Sequence, residues 1–125
     1  MATDTVTLEF LKSFGEAWNR HDLEAIMAHL ADDCAFLPSV TTDLVAGGSH
    51  GHAEVRRGVQ AFLDAWPDGR FESLGDFVAG NRGVSEWIFT GTKADGTQLR
   101  ARGCDVFTFA GGKIKTKDAF RKQLP

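Results

Sequence analysis

The sequence has few cysteines, no long hydrophobic run and no large excess of charge of one sign. Its two cysteines, Cys34 and Cys104, lie too far apart to predict a disulfide framework or a zinc site, so buried free thiols are expected. No apolar stretch is long enough to span a membrane, and the first residues, MATDTVTLEF, lack the basic start and apolar core of a signal peptide. We therefore expect a cytoplasmic protein.

The charge balance excludes two common classes of partner. The formal net charge is -3 at pH 7, and the lysines and arginines are scattered along the chain. Nucleic acids and anionic membranes bind to basic patches, so neither is expected as a partner. Small neutral or cationic molecules remain possible partners.

What the sequence does contain is enough apolar material for one folded domain. Its 125 residues are 42% hydrophobic and 25% charged, which is typical of a soluble domain with a sizeable core. No linker, repeat or low-complexity segment divides the chain. A single domain over residues 1–125 is expected.

The first half of the chain predicts three helices. Apolar residues recur every three to four positions over 6–18 and again over 23–30, and Asp22 is well placed as the N-cap of the second helix. A short strand should follow and end at Pro38. A Gly-rich loop then leads to a third helix over about 53–66.

From Phe71 onward the hydrophobic period changes to two. Turn signals at AGNRG, KADGT and AGGK divide this part into four strands. Helices followed by a meander predict an α+β fold, in which the three N-terminal helices cover the concave face of a curved antiparallel sheet.

The last predicted hairpin carries two aspartates whose direction depends on the turn. A two-residue turn at Gly111 and Gly112 places Asp105 opposite Asp118. Both would then point inward with the apolar side chains of the hairpin, Phe107, Phe109, Ile114 and Phe120. The outward face of the last strand would carry its basic residues, Lys113, Lys115, Lys117 and Arg121. Two neighbouring carboxylates in an apolar cavity cannot both ionise cheaply, so one would act as an acid and the other as a base.

The preceding turn, KADGT, leaves two registers open. A two-residue turn at Asp95 and Gly96 places Glu86 opposite Asp105 as a third carboxylate. A three-residue turn with a bulge would instead turn inward the alternate set, Ser85, Trp87 and Phe89.

Four segments, AWNRHDLEAIMAHLADD, HGHAEVRRGVQAF, SEWIFTGT and DVFTFAGGKI, together resemble the SnoaL-like (polyketide-cyclase-like) proteins of the nuclear transport factor 2-like superfamily. The resemblance implies a cystatin-like cone of curved sheet and three helices around a deep hydrophobic cavity, usually in a dimer. That superfamily includes ketosteroid isomerases, polyketide cyclases, epoxide hydrolases, dehydratases and non-catalytic binding domains. Fold alone therefore does not choose a function.

The resemblance can be carried over at single positions. CDVFTF matches the isomerase segment that holds the protonated aspartate of the oxyanion hole, at Asp105. The isomerase base falls at Pro38 and its helix-one tyrosine at Phe14, and the sequence has no tyrosine, so that mechanism is not expected. Asp118 resembles the last-strand aspartate of the cyclases and epoxide hydrolases. It lies four residues beyond Ile114, where the family pattern has five.

Three functional hypotheses follow. The first is a cofactor-independent acid/base enzyme, of isomerase, cyclase or hydrolase type, that acts on a small apolar carbonyl or cyclic compound in the cavity. Its catalytic candidates are Asp105, Asp118 and Glu86, and its ligand-binding candidates are Phe14, Trp18, Phe36, Phe62, Phe107 and Phe120. The alternatives are a non-catalytic ligand-binding module and a dimeric interaction domain. In either alternative the aspartates would be structural groups, paired for example with Arg100 or Arg102.

Neither a cofactor nor a metal is expected. AGGSHG does not resemble a phosphate-binding loop, and His50 and His52 have no cysteine or carboxylate nearby at ligand spacing. A homodimer is expected, because the outer face of the sheet can present Cys104 and Val106 with either Trp87 or Ile88.

Overall fold

A computed structural model of the protein describes residues 5–124, which form three helices and six strands. The helices are α1 (Leu8–Asn19), α2 (Leu23–Ala28) and α3 (His52–Ala65). The strands are β1 (Leu30–Leu37), β2 (Ser49–His50), β3 (Arg70–Ala79), β4 (Arg82–Thr92), β5 (Gln98–Ala110) and β6 (Lys113–Gln123). Residues 1–4, on which the expected lack of a signal peptide partly rests, lie outside the described residues, as does Pro125.

The first two helices begin at side-chain caps. Thr7 Oγ1 accepts a hydrogen bond from Phe10 N at 3.2 Å, and Asp22 Oδ1 accepts one from Ala25 N at 3.1 Å. Each cap satisfies a backbone N–H that the first turn of a helix leaves free. The predicted N-cap at Asp22 is thus confirmed. Leu30, which continues the apolar stripe of α2, is the first residue of β1 instead.

The six strands form one sheet in the order β2-β1-β6-β5-β4-β3. Strands β3 to β6 are the predicted antiparallel meander, while β1 adds a parallel pairing with β6 and β2 pairs antiparallel with β1. The helices pack on one face of this curved sheet, so the predicted α+β architecture is confirmed. The buried core lies between the layers and includes Leu11, Phe14, Trp18, Ile26, Val55, Val59, Phe107 and Ile114.

No helix in the range 5–124 combines the length and the apolar character that a membrane crossing requires.

The turn between β4 and β5 has three residues. Lys93 N donates to Thr97 O at 2.8 Å, and Gly96 adopts the positive φ, 87°, that such a turn favours. Ser85 consequently lies opposite Asp105, and Glu86 lies opposite Cys104. The register that placed Glu86 beside Asp105 is wrong, and the three-residue alternative is confirmed.

The turn between β5 and β6 has the predicted two residues, Gly111 and Gly112, both at positive φ. The pairing then shifts by one, because Ile114 faces Phe109 while Thr116 faces Thr108, which leaves Lys115 as an extra residue. A bulge of this kind reverses the alternation of side chains for the rest of the strand.

The bulge overturns the predicted facing of the two aspartates. Asp105 lies opposite Ala119, and Asp118 lies opposite Val106. Lys117 and Arg121, predicted to face outward, are on the inner face with Ala119.

Candidate functional site

Two cavities lie against the inner face of the sheet. Their volumes are about 460 Å³ and about 290 Å³, close to the range of roughly 300–1,000 Å³ that is common for small-molecule sites. The larger cavity lies between α1 and strands β3 to β6, and the smaller one lies between α3 and the same sheet, with β1 among its walls. Four side chains line both cavities and separate them, and we call them the partition: Trp18, Phe71, Trp87 and Lys117.

Asp105 is the buried carboxylate at the partition. It is 6% exposed, and its Oδ2 accepts a hydrogen bond from Trp87 Nε1 at 3.0 Å. Lys117 Nζ lies 3.2 Å from Oδ1, yet Oδ1 has no hydrogen-bond partner within residues 5–124. The ammonium therefore lies close to Oδ1 without the alignment of a hydrogen bond, and the contact is an ion pair at a carboxylate oxygen that its neighbours cover.

A glycine allows Trp87 to reach Asp105. Gly103 lies directly opposite Trp87 on β5. A Cβ at Gly103 would lie 2.7 Å from Trp87 Cη2 and 2.3 Å from the carbonyl oxygen of Phe120, which is closer than atoms pack. The bare backbone at this position lets the indole ring lie across β5.

Lys117 contacts aromatic rings as well as the carboxylate. Its Nζ lies 4.9 Å from the ring centre of Phe36 and 5.6 Å from that of Trp18. Both distances allow cation–π attraction, which strengthens when the cation is desolvated. The Lys117 side chain is only 17% exposed, so its charge is available mainly to the cavities.

Trp18 lies at the centre of the aromatic walls. Its ring stacks on Phe36 at 6.3 Å and meets Phe62 and Phe71 edge-on at 5.6 and 6.1 Å. The residue is 8% exposed, and its Nε1 is buried without a hydrogen-bond partner among the described residues. Such a group is uncommon in folded proteins, where buried polar atoms normally have partners.

Asp76 is a carboxylate that borders the larger cavity and that sequence reasoning missed. The pairing of β3 with β4 shifts at Leu74, so that Asp76 lies opposite Ser85, which in turn lies opposite Asp105. Asp76 is half-buried and lines the larger cavity with Ser85. The signal that could have found it is Gly75, since a glycine within a strand often marks a bulge.

The predicted ligand-binding residues are only partly brought together. Five of the six line at least one cavity: Phe14, Trp18, Phe36, Phe62 and Phe107. Phe120 is 54% exposed on the outer face. Its predicted inward direction is wrong because of the bulge at Lys115.

The predicted catalytic residues are separated by the sheet. Asp105 is on the inner face, whereas Asp118 and Glu86 belong to the outer set of their strands, although Glu86 also borders the larger cavity. The partner of Asp105 is Lys117, rather than either of the exposed arginines considered from the sequence, Arg100 and Arg102. The residue five positions beyond Ile114, where the family pattern has an aspartate, is Ala119, and it lines the smaller cavity.

The two histidines considered as metal ligands, His50 and His52, each contact a backbone carbonyl group. His50 Nε2 lies 2.7 Å from Ala46 O, and His52 Nε2 lies 3.2 Å from Met27 O. Within residues 5–124, no three His, Cys, Asp or Glu side chains are grouped as a metal site would require. Both cysteines are free thiols, and burial raises the pKa of Cys34 and of Cys104.

Known structures share this fold. An NTF2-like protein of unknown function from Burkholderia pseudomallei is 22% identical, with 92% of this chain and 89% of that chain covered and a TM-score of 0.78. A proposed polyketide cyclase from Xanthomonas campestris is 20% identical, with coverages of 90% and 87% and a TM-score of 0.77. TerC, co-crystallised with polyporic acid, is 17% identical, with coverages of 92% and 90% and a TM-score of 0.77.

The sequence comparisons identify the family. None of the curated proteins matches the chain by sequence. The profile of the SnoaL-like domain, in contrast, matches residues 11–116, which is most of the chain. The chain therefore belongs to the SnoaL-like family, and its fold is that of NTF2-like proteins of known structure.

Proposed function

We propose that the protein binds a small apolar carbonyl or cyclic compound beside Asp105 and acts on it by cofactor-independent acid/base chemistry. The observation that carries this proposal is the buried Asp105 carboxylate, which Trp87 and Lys117 hold in place in the wall of the larger cavity. A general base must be positioned by its surroundings and must reach its substrate; two neighbours position Asp105, and the wall that covers its Oδ1 must open to admit the ligand.

In this proposal Asp105 accepts a proton from a carbon next to a carbonyl group. The C–H bond breaks and its electron pair forms a C=C bond, the pair of the carbonyl π bond moves to the oxygen, and the Lys117 ammonium stabilises the resulting enolate. Asp105 then returns the proton to the same or another carbon. Asp76 is a further group for proton exchange with the ligand, because it lines the same cavity and is separated from Asp105 across the strands by Ser85 alone.

Two structural neighbours support a small organic ligand. TerC was crystallised with polyporic acid, and the Xanthomonas campestris protein is a proposed polyketide cyclase. The aromatic walls of both cavities suit ring compounds of this general kind, because flat rings pack well against aromatic faces.

The test is proton exchange on simple cyclic ketones. We expect the protein to accelerate exchange of the α-hydrogens of 1-indanone and 1-tetralone in D2O, followed by proton NMR. Asp105→Asn should reduce the rate at least about 100-fold, the lower end of what general-base catalysis contributes. Asp118→Asn is the matched control and should leave the rate within about two-fold. Loss of exchange in the control variant, or full exchange in Asp105→Asn, would contradict the assignment.

Non-catalytic ligand binding is the second candidate function. It is favoured by Ala119, which stands where the family pattern has an aspartate, so the cavity lacks one acid/base group of the cyclases and epoxide hydrolases. Saturable binding of the same ketones, with exchange no faster than in buffer, would support this function over the first.

We also propose that the outer face of the sheet pairs with a second copy of the chain. The registers place Ile88, rather than Trp87, on this face with Cys104 and Val106, and the nearby Phe77 and Phe120 are 55% and 54% exposed. On the same face, the acidic residues Glu86 and Asp118 lie at different positions along the strands from the basic residues Arg102 and Lys122, which are opposite each other. A two-fold axis could therefore bring opposite charges together.

The dimer is tested by sedimentation and by alkylation of Cys104. We expect a dimer at micromolar concentration and a rate of Cys104 alkylation that falls as the protein concentration rises. Cys34, which is fully buried, serves as the internal reference. A monomer with concentration-independent alkylation would contradict the proposal.

A further inference from the structure

The two cavities differ in the charge of the residues that line them. The larger cavity is bordered by five acidic and three basic residues, which are Glu16, Glu72, Asp76, Glu86 and Asp105 with Lys12, Arg70 and Lys117. Among the described residues that line the smaller cavity there is no aspartate or glutamate, but there are two basic residues, Lys117 and Arg121. The smaller cavity therefore favours an anionic ligand, and the larger one does not.

Arg121 carries the uncompensated charge at the smaller cavity. The ammonium of Lys117 lies 3.2 Å from Asp105 Oδ1, so its charge already has a partner. Arg121, in contrast, forms no ion pair with any residue of the range 5–124. Because Arg121 is exposed and also lines the cavity, it lies where the cavity meets solvent. A charged group can contact Arg121 there without entering the apolar interior, where its desolvation would be costly.

The backbone of the sheet determines the position of Arg121. The bulge at Lys115 turns Arg121 to the inner face, where it lies opposite Gly103. A Cβ at Gly103 would lie 3.0 Å from Arg121 Cβ and 2.7 Å from Trp87 Cη2. The bare backbone of Gly103 thus lets the base of the Arg121 side chain pack over β5 beside the indole ring. A side chain that is held at its base loses less freedom when its charged end binds a ligand.

The other walls of the smaller cavity are mainly apolar. They include Val59 and Phe62 of α3 and Phe89 and Ala101 of the sheet. The volume of about 290 Å³ lies at the lower limit of the usual range of small-molecule sites, roughly 300–1,000 Å³. A ligand that matches this cavity is therefore small and apolar, with one negative charge at its end.

We propose that the smaller cavity binds a small apolar monocarboxylate whose carboxylate group pairs with Arg121. The guanidinium group offers paired N–H donors that match the two carboxylate oxygens, and the apolar body of the ligand lies against Val59, Phe62 and Phe89. This site is separate from the proposed reaction, because Asp105 lines the larger cavity and not the smaller one.

The experiment is a calorimetric titration at pH 7 with three probes that share one eight-carbon chain and differ in charge: octanoate, octanamide and octylammonium. We expect octanoate to bind at one site per chain and at least about ten-fold more tightly than octanamide, since hydrogen bonds between ionised groups are stronger than neutral ones. Octylammonium should bind more weakly than octanamide, because its charge has the same sign as that of Arg121.

Two arginine variants assign the site. Arg121→Met keeps an unbranched apolar side chain and should weaken octanoate binding about ten-fold, while octanamide binding stays within about two-fold. Arg70→Met is the matched control, because Arg70 is also exposed but lines only the larger cavity. It should leave the affinity for both probes within about two-fold.

NMR of the wild-type protein gives the location without a variant, in case Arg121→Met does not fold. Octanoate should shift the side-chain Nε–H signal of Arg121 and the backbone amide signal of Gly58, which lines the smaller cavity on α3, and should leave the Arg70 signal in place.

The outcomes separate this site from the proposed function. Equal affinity for octanoate and octanamide, no binding at millimolar concentration, or a loss of affinity in Arg70→Met instead of Arg121→Met would each overturn the carboxylate site. The expected preference for octanoate in a protein that shows no proton exchange on ketones would support the carboxylate site and remove only the acid/base activity.

Discussion

Replacement of Lys117 by methionine tests the electrostatic centre of the site. Methionine keeps the unbranched apolar chain that packs on Trp18 and Phe36 but removes the charge beside Asp105. Removing one partner of a buried ion pair costs about 3–5 kcal/mol, because the remaining charge is left without compensation. Here the side chains of Lys117 and Asp105 retain 17% and 9% exposure and Trp87 still donates to the carboxylate, so we expect a loss of about 2–3 kcal/mol.

Urea unfolding at pH 7, followed by tryptophan fluorescence and circular dichroism, measures this loss. Lys115→Met is the matched control on the same strand: Lys115 pairs with Asp33, whose side chain is 75% exposed, so a much smaller effect is expected. Adding Asp105→Asn to Lys117→Met should recover part of the stability, with a coupling of at least about 1 kcal/mol.

The double-mutant cycle formed by Lys117→Met and Asp105→Asn can also refute the register of β6. Effects of Lys117→Met and Asp105→Asn that add within about 0.5 kcal/mol would show that the two side chains do not interact. Coupling of Asp105→Asn with Asp118→Asn instead would indicate a strand without the bulge at Lys115.

Three further predictions concern single positions. Gly103→Ala should lower the free energy of unfolding by about 2–3 kcal/mol, at the upper end of overpacking costs, because the new Cβ overlaps Trp87 and the backbone of β6. Urea unfolding measures this loss, and a value below about 0.5 kcal/mol would contradict the close approach of Trp87 to Gly103. Asp22→Ala should cost about 1 kcal/mol through loss of the α2 cap, with the exposed Asp32→Ala as the control, and equal melting temperatures for the two variants would argue against the cap. His29 is the half-buried residue that caps the C-terminus of α2, and burial lowers its pKa. The unfolded chain therefore binds the His29 proton more tightly, so stability should fall as pH decreases from about 6.5 through the folded value. His29→Gln should flatten that slope in urea midpoints between pH 5 and 8, and parallel slopes for both proteins would show that another group is responsible.

The sequence predicts the fold and most cavity walls because those features follow from hydrophobic period and turn chemistry. Trp18 and Phe107, for example, lie on apolar stripes that can face only the core. The facing of Asp118 could not be predicted in this way, because KIKTKD alternates regularly and no side chain marks Lys115 as an extra residue. The contact that accompanies the bulge, between Lys115 and Asp33, joins residues that are distant along the chain. The position of Asp76, in contrast to that of Asp118, had a local sign in the sequence, because the neighbouring Gly75 indicates irregular strand pairing.

The parallel pairing of β1 with β6 has a consequence for how the protein folds. It joins Asp33 to Lys115 across 82 positions, whereas the meander from β3 to β6 pairs neighbours along the chain. Contacts between distant residues close large loops before they gain stability, and proteins rich in them fold in milliseconds to seconds rather than microseconds. Phe36 and Lys117 lie on these two strands, so the wall they share can form only when β1 docks. The capacity to bind a ligand there should therefore be acquired in the same late step that completes the sheet.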